Sequence, residues 1–406
     1  MTSPWLNIIG IGEDGLAGLS YEAIRKMKEA DIIVGGKRHH FLTKAFVKAQ
    51  RICWSLPLEA MIREILLHRG KSLVILVTGD PLWYSIGVQI AQAITSEEIR
   101  FYPQLSAFQL AACRLGWSLS DCDTLTIHGR SDRQIVPYLA PRARLLILTE
   151  NGQSPSRICD ILTHYGFGGS KITVLAALGG EKEERFEGVA ETWNRNVPDL
   201  NTMAVECHVS DRSIWYPRIV GLPDDAFVHD GQLTKQLVRT ATLTALAPHP
   251  NAILWDIGAG CGSVGIEWIR ASSNAHVYAI EYKEKRLQMI SENCVALGTE
   301  KICIVSGKAP SVLTDLPTPD SVFIGGGLTS EGVFEKAWSS LRPGGRLVAN
   351  TVTLDSEKKL IALYHDFGGE LRRINIQKAE PIGSSSSWRS SMPMTQWIVM
   401  KSWRKM

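Results

Sequence analysis

The chain is 406 residues long, 45% hydrophobic and 21% charged, with a formal net charge of +3. That length exceeds one ordinary core, so two domains are expected, with the composition of a soluble globular protein. The small net charge and the lack of a long Lys/Arg run argue against a nucleic-acid partner. No stretch approaches the ~20 apolar residues of a membrane span and the start carries no basic leader, so a cytoplasmic protein without a membrane partner is expected. The cysteines at 53, 113, 122, 159, 207, 261, 294 and 303 include no C-x-x-C pair, which favours reduced thiols over a disulfide framework or a metal site.

In chain order, a first strand over 5–9 runs into Gly10-Ile11-Gly12-Glu13-Asp14-Gly15, and Ser20 is positioned to cap the helix that follows. A short strand over 31–34 leads into Gly35-Gly36-Lys37-Arg38-His39-His40. A fully apolar strand over 72–77 ends in Thr78-Gly79-Asp80-Pro81, and a strand over 99–102 leads through Pro103 and Gln104 to Ser106-Ala107. Strands over 145–148, 171–176, 185–189 and 202–207 then suggest a second small αβ lobe. Glycine loops at several strand ends on one side of a sheet mark a ligand crevice.

Pro217, Gly221 and Pro223 punctuate the next stretch, so the domains are placed at 1–216 and 232–406 with a linker at 217–231. Leu233, Leu237, Val238, Ala241 and Ala245 form one apolar stripe at helical spacing, with Thr234 as its expected cap. Strands over 252–257, 276–280, 301–305, 321–324 and 346–350 alternate with helical segments over 263–271, 284–297 and 329–341, which implies a parallel sheet covered on both faces. Segments 370–376 and 396–400 are expected to close it as an antiparallel pair. The fold class is α/β throughout. The only low-complexity piece is the serine run 384–387.

The sharpest signal is Asp256-Ile257-Gly258-Ala259-Gly260-Cys261-Gly262, set between a strand and a helix, with Glu281 ending the next strand. That arrangement lets backbone N–H groups and a helix N-terminus approach a polar ligand, while the acid accepts from ribose hydroxyls. It resembles the S-adenosylmethionine site of class I (Rossmann-like) methyltransferases. The loops at Gly10-Ile11-Gly12, Thr78-Gly79-Asp80-Pro81 and Ser106-Ala107 resemble the tetrapyrrole methylase family, a two-lobed fold that holds S-adenosylmethionine between its lobes. Glu13-Asp14-Gly15 departs from that family's usual Gly-Pro-Gly, and Gln104 stands where it often has Gly. Leu233-Thr234-Lys235, Ser306-Gly307-Lys308-Ala309-Pro310 and Phe323-Ile324-Gly325-Gly326-Gly327 resemble decarboxylating C15 methyltransferases of corrin-ring biosynthesis.

Two such halves in this order resemble the family of fused C5,15-methyltransferases (decarboxylating). The resemblance implies methylation of C5 and C15 of precorrin-6B and loss of the C12 acetate carboxyl, giving precorrin-8X. It implies two S-adenosylmethionine sites: Gly10, Gly12, Gly79, Asp80, Pro81, Ser106 and Ala107 in one, and Thr234, Asp256, Gly258, Ala259, Gly260, Cys261, Gly262, Glu281 and Ala309 in the other. Lys37, Arg38, His39, Arg130, Gly326 and Arg389 are the candidates for substrate contact, with Lys308 and Arg342 as further cations for the decarboxylation. No catalytic residue is assigned, because methyl transfer from a sulfonium needs in-line positioning more than acid–base groups. A homo-oligomer acting on a small tetrapyrrole is expected. The alternatives are an RNA adenine methyltransferase with an accessory domain, and a cofactor-sensing scaffold in which one half is inactive.

Overall fold

The computed structural model describes residues 4–45, 48–54 and 57–403. The chain divides into two compact units, Met1–Asp132 with Leu139–Ile214, and Arg133–Tyr138 with Trp215–Met406.

The first unit opens with β1 (Leu6–Ile11), β2 (Ile32–Gly35), β3 (Gln50–Cys53), β4 (Leu73–Thr78) and β5 (Ile99–Tyr102). They form a parallel sheet in the order β3-β2-β4-β1-β5. Mostly apolar runs in β1, β2 and β4, broken in β1 only by the buried Asn7, suit strands covered on both faces. Helix Tyr21–Glu29 covers one face with Ala23 and Met27, and Ser20 caps it by accepting from Ala23 N at 3.2 Å. β3 is an edge strand whose polar Gln-Arg pair hid it from periodicity. The charged cluster after β2 is a short helix, Lys37–Leu42, with no buried residue.

A second lobe holds β6 (Asp123–Thr126), β7 (Arg144–Leu148), β8 (Lys171–Ala176), β9 (Glu184–Val189) and β10 (Asn201–Glu206). The order is β6-β7-β10-β8-β9, with only β6 and β7 parallel.

The second unit is built on β11 (Ile253–Ile257), β12 (His276–Glu281), β13 (Cys303–Ser306), β14 (Ser321–Ile324), β15 (Arg346–Thr351) and β16 (Glu370–Ile374), then β17 (Gln377–Ile382), β18 (Ser385–Ser390) and β19 (Met394–Met400). Seven strands run β13-β12-β11-β14-β15-β19-β16, parallel from β13 to β15 and antiparallel through β19 and β16. The closing pair is therefore present. Strand order reverses between β11 and β14, the crevice where open α/β sheets bind ligands. β17 and β18 form an exposed hairpin through the serine run, invisible to pattern reading because neither face is buried.

The stretch 217–231, expected as a linker, is packed into the second unit. Leu222 and Phe227 are buried in its core. Glu267, itself buried, accepts from the N–H groups of Gly221 and Leu222. Arg239 is fully buried and donates to Glu267 Oε1 at 2.5 Å, to Asp224 Oδ1 at 3.2 Å and to the carbonyls of Leu222 and Thr234. Thr234 is not the helix cap: the helix is Gln236–Leu246 and Lys235 holds the N-cap position. Residues 133–138 belong to this unit as well, with the Tyr138 ring under Arg218 at 4.5 Å. No local pattern marks so short a return.

Removing one partner of a buried ion pair strands the other charge in low dielectric. Arg239→Met is therefore expected to lower the second unit's unfolding free energy by about 3–5 kcal/mol. The check is the midpoint of that unit's denaturant transition at unchanged slope.

Candidate cofactor sites

In the first unit, the carboxyl ends of β1, β2 and β4 face a cavity of about 470 Å³, within the usual size of small-molecule sites. Gly12, Arg38, His39, Thr78, Gly79 and Ala107 line one side, and Thr126, His128, Thr149 and Asn201 from the second lobe line another. Gly10 and Gly79 meet backbone to backbone: a Cβ on Gly10 would lie 1.8 Å from the Gly79 carbonyl oxygen. Those two glycines therefore let the loops touch.

The remaining expected residues play supporting parts. Asp80 Oδ1 accepts from Leu82 N at 2.7 Å, closing a turn. Pro81 is buried against Gly87. Ser106 caps helix Ala107–Leu115 in a reciprocal box with Gln109. Lys37 is exposed and does not line the cavity, whereas Arg38 and His39 do. Arg130 lies over the Tyr84 ring at 5.6 Å, and Tyr84 lines the cavity with a left-handed φ of 51°. Thr78 and His128 fall within motifs the sequence shows but were not named as contacts, and Tyr84, six residues beyond β4, carries no spacing signal.

In the second unit, β11, β12 and β14 bring their following loops together. Gly258 and Ala259 N–H groups both donate to Ile280 O at 3.0 Å. Gly258, Gly260 and Gly262 all have left-handed φ, at 74°, 61° and 82°. A Cβ on Gly258 would stand 2.8 Å from Gly326 N, so the loops after β11 and β14 approach this closely only because residue 258 is glycine. Glu281 accepts from Gly260 N at 3.1 Å, Tyr282 N at 2.9 Å and Lys283 N at 3.0 Å. A carboxylate has about four lone-pair sites, so one is left for a ligand. Ala309 lies half-buried beyond β13, and Lys308 stands over Tyr282 at 4.9 Å on this same edge.

Asp256 is fully buried; Oδ2 accepts from Gly265 N at 3.1 Å while Oδ1 has no partner among the described residues. Burial pushes its carboxyl up to about 7, opposed by the Gly265 N–H and aided by the Glu281 charge. The orphaned carboxyl is sealed from solvent beneath the glycine loop, where the N–H groups of Gly258, Ala259, Gly260 and Gly262 all bond within the protein. Cys261 is buried and its carbonyl accepts from Asn293 Nδ2 at 2.9 Å. The same amide holds Val228 O, and Val228 N donates to Asn293 Oδ1, so one side chain ties the segment before Thr234 to the glycine loop. Arg286 pairs with Asp230 at 2.9 Å and does the same from outside. Neither residue carried a motif; Asn293 shows only as a polar residue on an apolar helix face.

The two remaining candidate cations are both held in ion pairs. Arg342 pairs with Asp320, which precedes β14 and so lies at the opposite end of that strand from Gly325–Gly327. Arg389 is on the exposed hairpin, paired with Glu380. Among the described residues no cluster of His, Cys, Asp and Glu is placed to hold a metal ion, and no helix is long and apolar enough to cross a membrane.

Comparison with known proteins matches the two halves of the chain separately and together. Residues 6–193 match the model of the tetrapyrrole (corrin/porphyrin) methylases, and residues 225–401 match the precorrin methyltransferase domain. A precorrin-6Y C(5,15)-methyltransferase (decarboxylating) of Sinorhizobium is 43% identical over all 406 residues, covering 97% of that protein. The chain belongs to this family. Its Mycobacterium tuberculosis namesake is 36% identical over 97% of this chain and 99% of its own length. The C-terminal domain of the Rhodobacter capsulatus enzyme, 43% identical, covers 46% of this chain and 100% of the crystallised domain at a TM-score of 0.44.

Two variants separate packing from ligand contact in the second unit. Gly258→Ala is expected to cost about 1–3 kcal/mol through its left-handed backbone, with a further loss from the Gly326 contact. Gly326→Ala meets nothing closer than 3.9 Å, so its melting temperature should match wild type and any loss of turnover reports occupied ligand space. Melting curves and steady-state rates on both variants check this.

The raised Asp256 pKa also sets a pH dependence. Between about 4, where the unfolded carboxyl titrates, and about 7, the native state binds the extra proton. Stability from this group is therefore full at the acid end of that window and lost as pH rises through about 7. Thermal melts of wild type minus Asp256→Asn should slope downward across the window; parallel curves would remove Asp256 as the cause.

Proposed function

We propose that this chain methylates C5 and C15 of a precorrin and removes its C12 acetate carboxyl, using one S-adenosylmethionine in each unit. The observation that carries the reading is the pair of glycine-lined crevices, each at the carboxyl edge of its own parallel sheet. The first falls within the tetrapyrrole methylase match, the second within the precorrin methyltransferase match. C5 methylation is assigned to the first unit, and C15 methylation with decarboxylation to the second. Relatives named for one half alone agree with that division: a Salmonella cobalt-precorrin-7 C(5)-methyltransferase is 28% identical over 178 residues, and a Pyrobaculum probable cobalt-precorrin-6B C(15)-methyltransferase (decarboxylating) is 33% identical over 158.

S-adenosylmethionine, when bound, supplies the methyl group as an electrophile on a sulfonium. The chain's own part is to hold and exclude. In the second unit the start of helix Ser263–Ala271 faces the methionine carboxylate and the open lone pair of Glu281 takes a ribose hydroxyl, while the glycines of 258–262, their N–H groups bonded within the protein, let the ligand come close. Gly325–Gly327 leave the floor free of side chains, so a flat macrocycle reaches the methyl in line. Decarboxylation sends the carbon–carbon bonding pair into a protonated ring imine, and a proton taken up at the exocyclic carbon leaves a methyl group. Lys308 is assigned as the cation for this step, on the edge where Lys283 also stands by the Tyr282 ring; Arg342, at the far end of β14, has no part.

The test is Gly260→Val in the full chain. Its strained backbone and its side chain, with no protein atom nearer than Gln232 O at 3.7 Å, obstruct the second crevice alone. Calorimetry should find two cofactors per wild-type chain and one per variant chain. Product mass spectrometry should show that the variant no longer releases carbon dioxide. Carbon dioxide released at the wild-type rate would overturn the division of labour.

A further inference from the structure

Thr78 ends β4 and lines the first unit's cavity, and its hydroxyl is held in a single hydrogen-bonding state. Gly36 N–H donates to His39 Nδ1 at 3.2 Å. Burial, with the Arg38 and His40 charges beside it, brings His39 down to about 4, so the ring is neutral near pH 7. A neutral imidazole carries one N–H; with Nδ1 accepting, the proton is on Nε2. Nε2 stands 3.0 Å from Thr78 Oγ1 and donates to it. Arg38 Nη2 also lies 3.5 Å from Nε2, but it is 2.5 Å from Thr78 Oγ1 and gives its hydrogen there, while Nη1 holds the Glu13 carboxylate.

A hydroxyl oxygen has two lone pairs, and both are now filled. The Thr78 hydrogen must point away from both donors, and among the described residues it has no acceptor. Accepting from a guanidinium also polarises the O–H bond and strengthens it as a donor. A group that can only donate turns away ammonium and N–H groups and gains most from an anion.

We propose that Thr78 Oγ1 is the donor that seats a ligand carboxylate in the first cavity, with Glu13, Arg38 and His39 as positioning residues that keep it donating. The inference rests on the function proposed above, under which both ligands carry carboxylates: the methionine end of the cofactor, and the acetate and propionate arms of the macrocycle. Neither Thr78 nor this frame is a glycine-loop contact, and the loop alone does not require them.

The full-length chain is tested as wild type, Thr78→Val and Thr78→Ser. Valine keeps the shape and removes the hydroxyl; serine restores it. Cofactor affinity is read by calorimetry with S-adenosylmethionine, and substrate use by the KM and kcat for the tetrapyrrole at saturating cofactor. Thr78→Val should weaken one ligand roughly tenfold, as expected for a lost hydrogen bond to a charged group, and serine should recover it. Loss of cofactor affinity alone identifies the methionine carboxylate, and a raised tetrapyrrole KM with unchanged cofactor affinity identifies a ring side chain. Thr78→Val matching a wild type that binds both ligands overturns this proposal alone, as does a loss that serine fails to recover. A wild type that binds neither ligand overturns the proposed function with it.

Discussion

The direction of the strands in two parallel sheets decides where everything else can happen. Parallel pairing sends every connection back over a face, so consecutive strands deliver their C-terminal loops to one edge. In the first unit that edge carries Gly12, Gly36 and Gly79; in the second it carries Gly258, Lys308 and Gly326. A single antiparallel swap among β11, β12 and β14 would send one of the three loops to the far end and dissolve the crevice.

The two units solve the close approach of backbones by the same means but hold their ligand-facing groups differently. In the second unit polar groups near the loop are tied to backbone: Glu281 to three N–H groups, Asn293 to two carbonyls and an N–H, Arg239 to two carbonyls. Such bonds fix the loop geometry before any ligand arrives, which is where preorganisation gains affinity. In the first unit one cavity-facing set, Glu13, Arg38, His39 and Thr78, bonds side chain to side chain, while Tyr84, Thr149 and Asn201 bond to backbone carbonyls. A side-chain frame of that kind fixes the state of one hydroxyl rather than the path of a loop.

Burial separates the roles of the acids. Asp256 and Glu281 end adjacent strands and both are buried, yet Glu281 receives three N–H groups and Asp256 only one. The proton affinity of Asp256 rises because desolvation of its charge outweighs the single bond it accepts.

Much of this protein was legible in the sequence, because its signals are local. Apolar runs of strand length, glycines in D-x-G-x-G-x-G, and an acid at the next strand's end are set by short-range sterics, and β11, β12 and their loop lie where the pattern put them. The cap at Ser20 and the closing antiparallel pair are of the same kind. What only the tertiary structure decided depends on contacts between residues far apart in the chain. The 217–231 stretch has the composition of a linker, but Glu267 and Arg239, both buried, need its backbone groups as partners. Thr234 loses its capping role because the turn before Gln236 is held by Asp224 and Arg239. Arg342 and Lys308 look alike as cations in text, and only strand direction puts one at the ligand edge and the other at its opposite end. Composition records which groups are polar; their partners, and so their chemistry, exist only once the chain has closed around them.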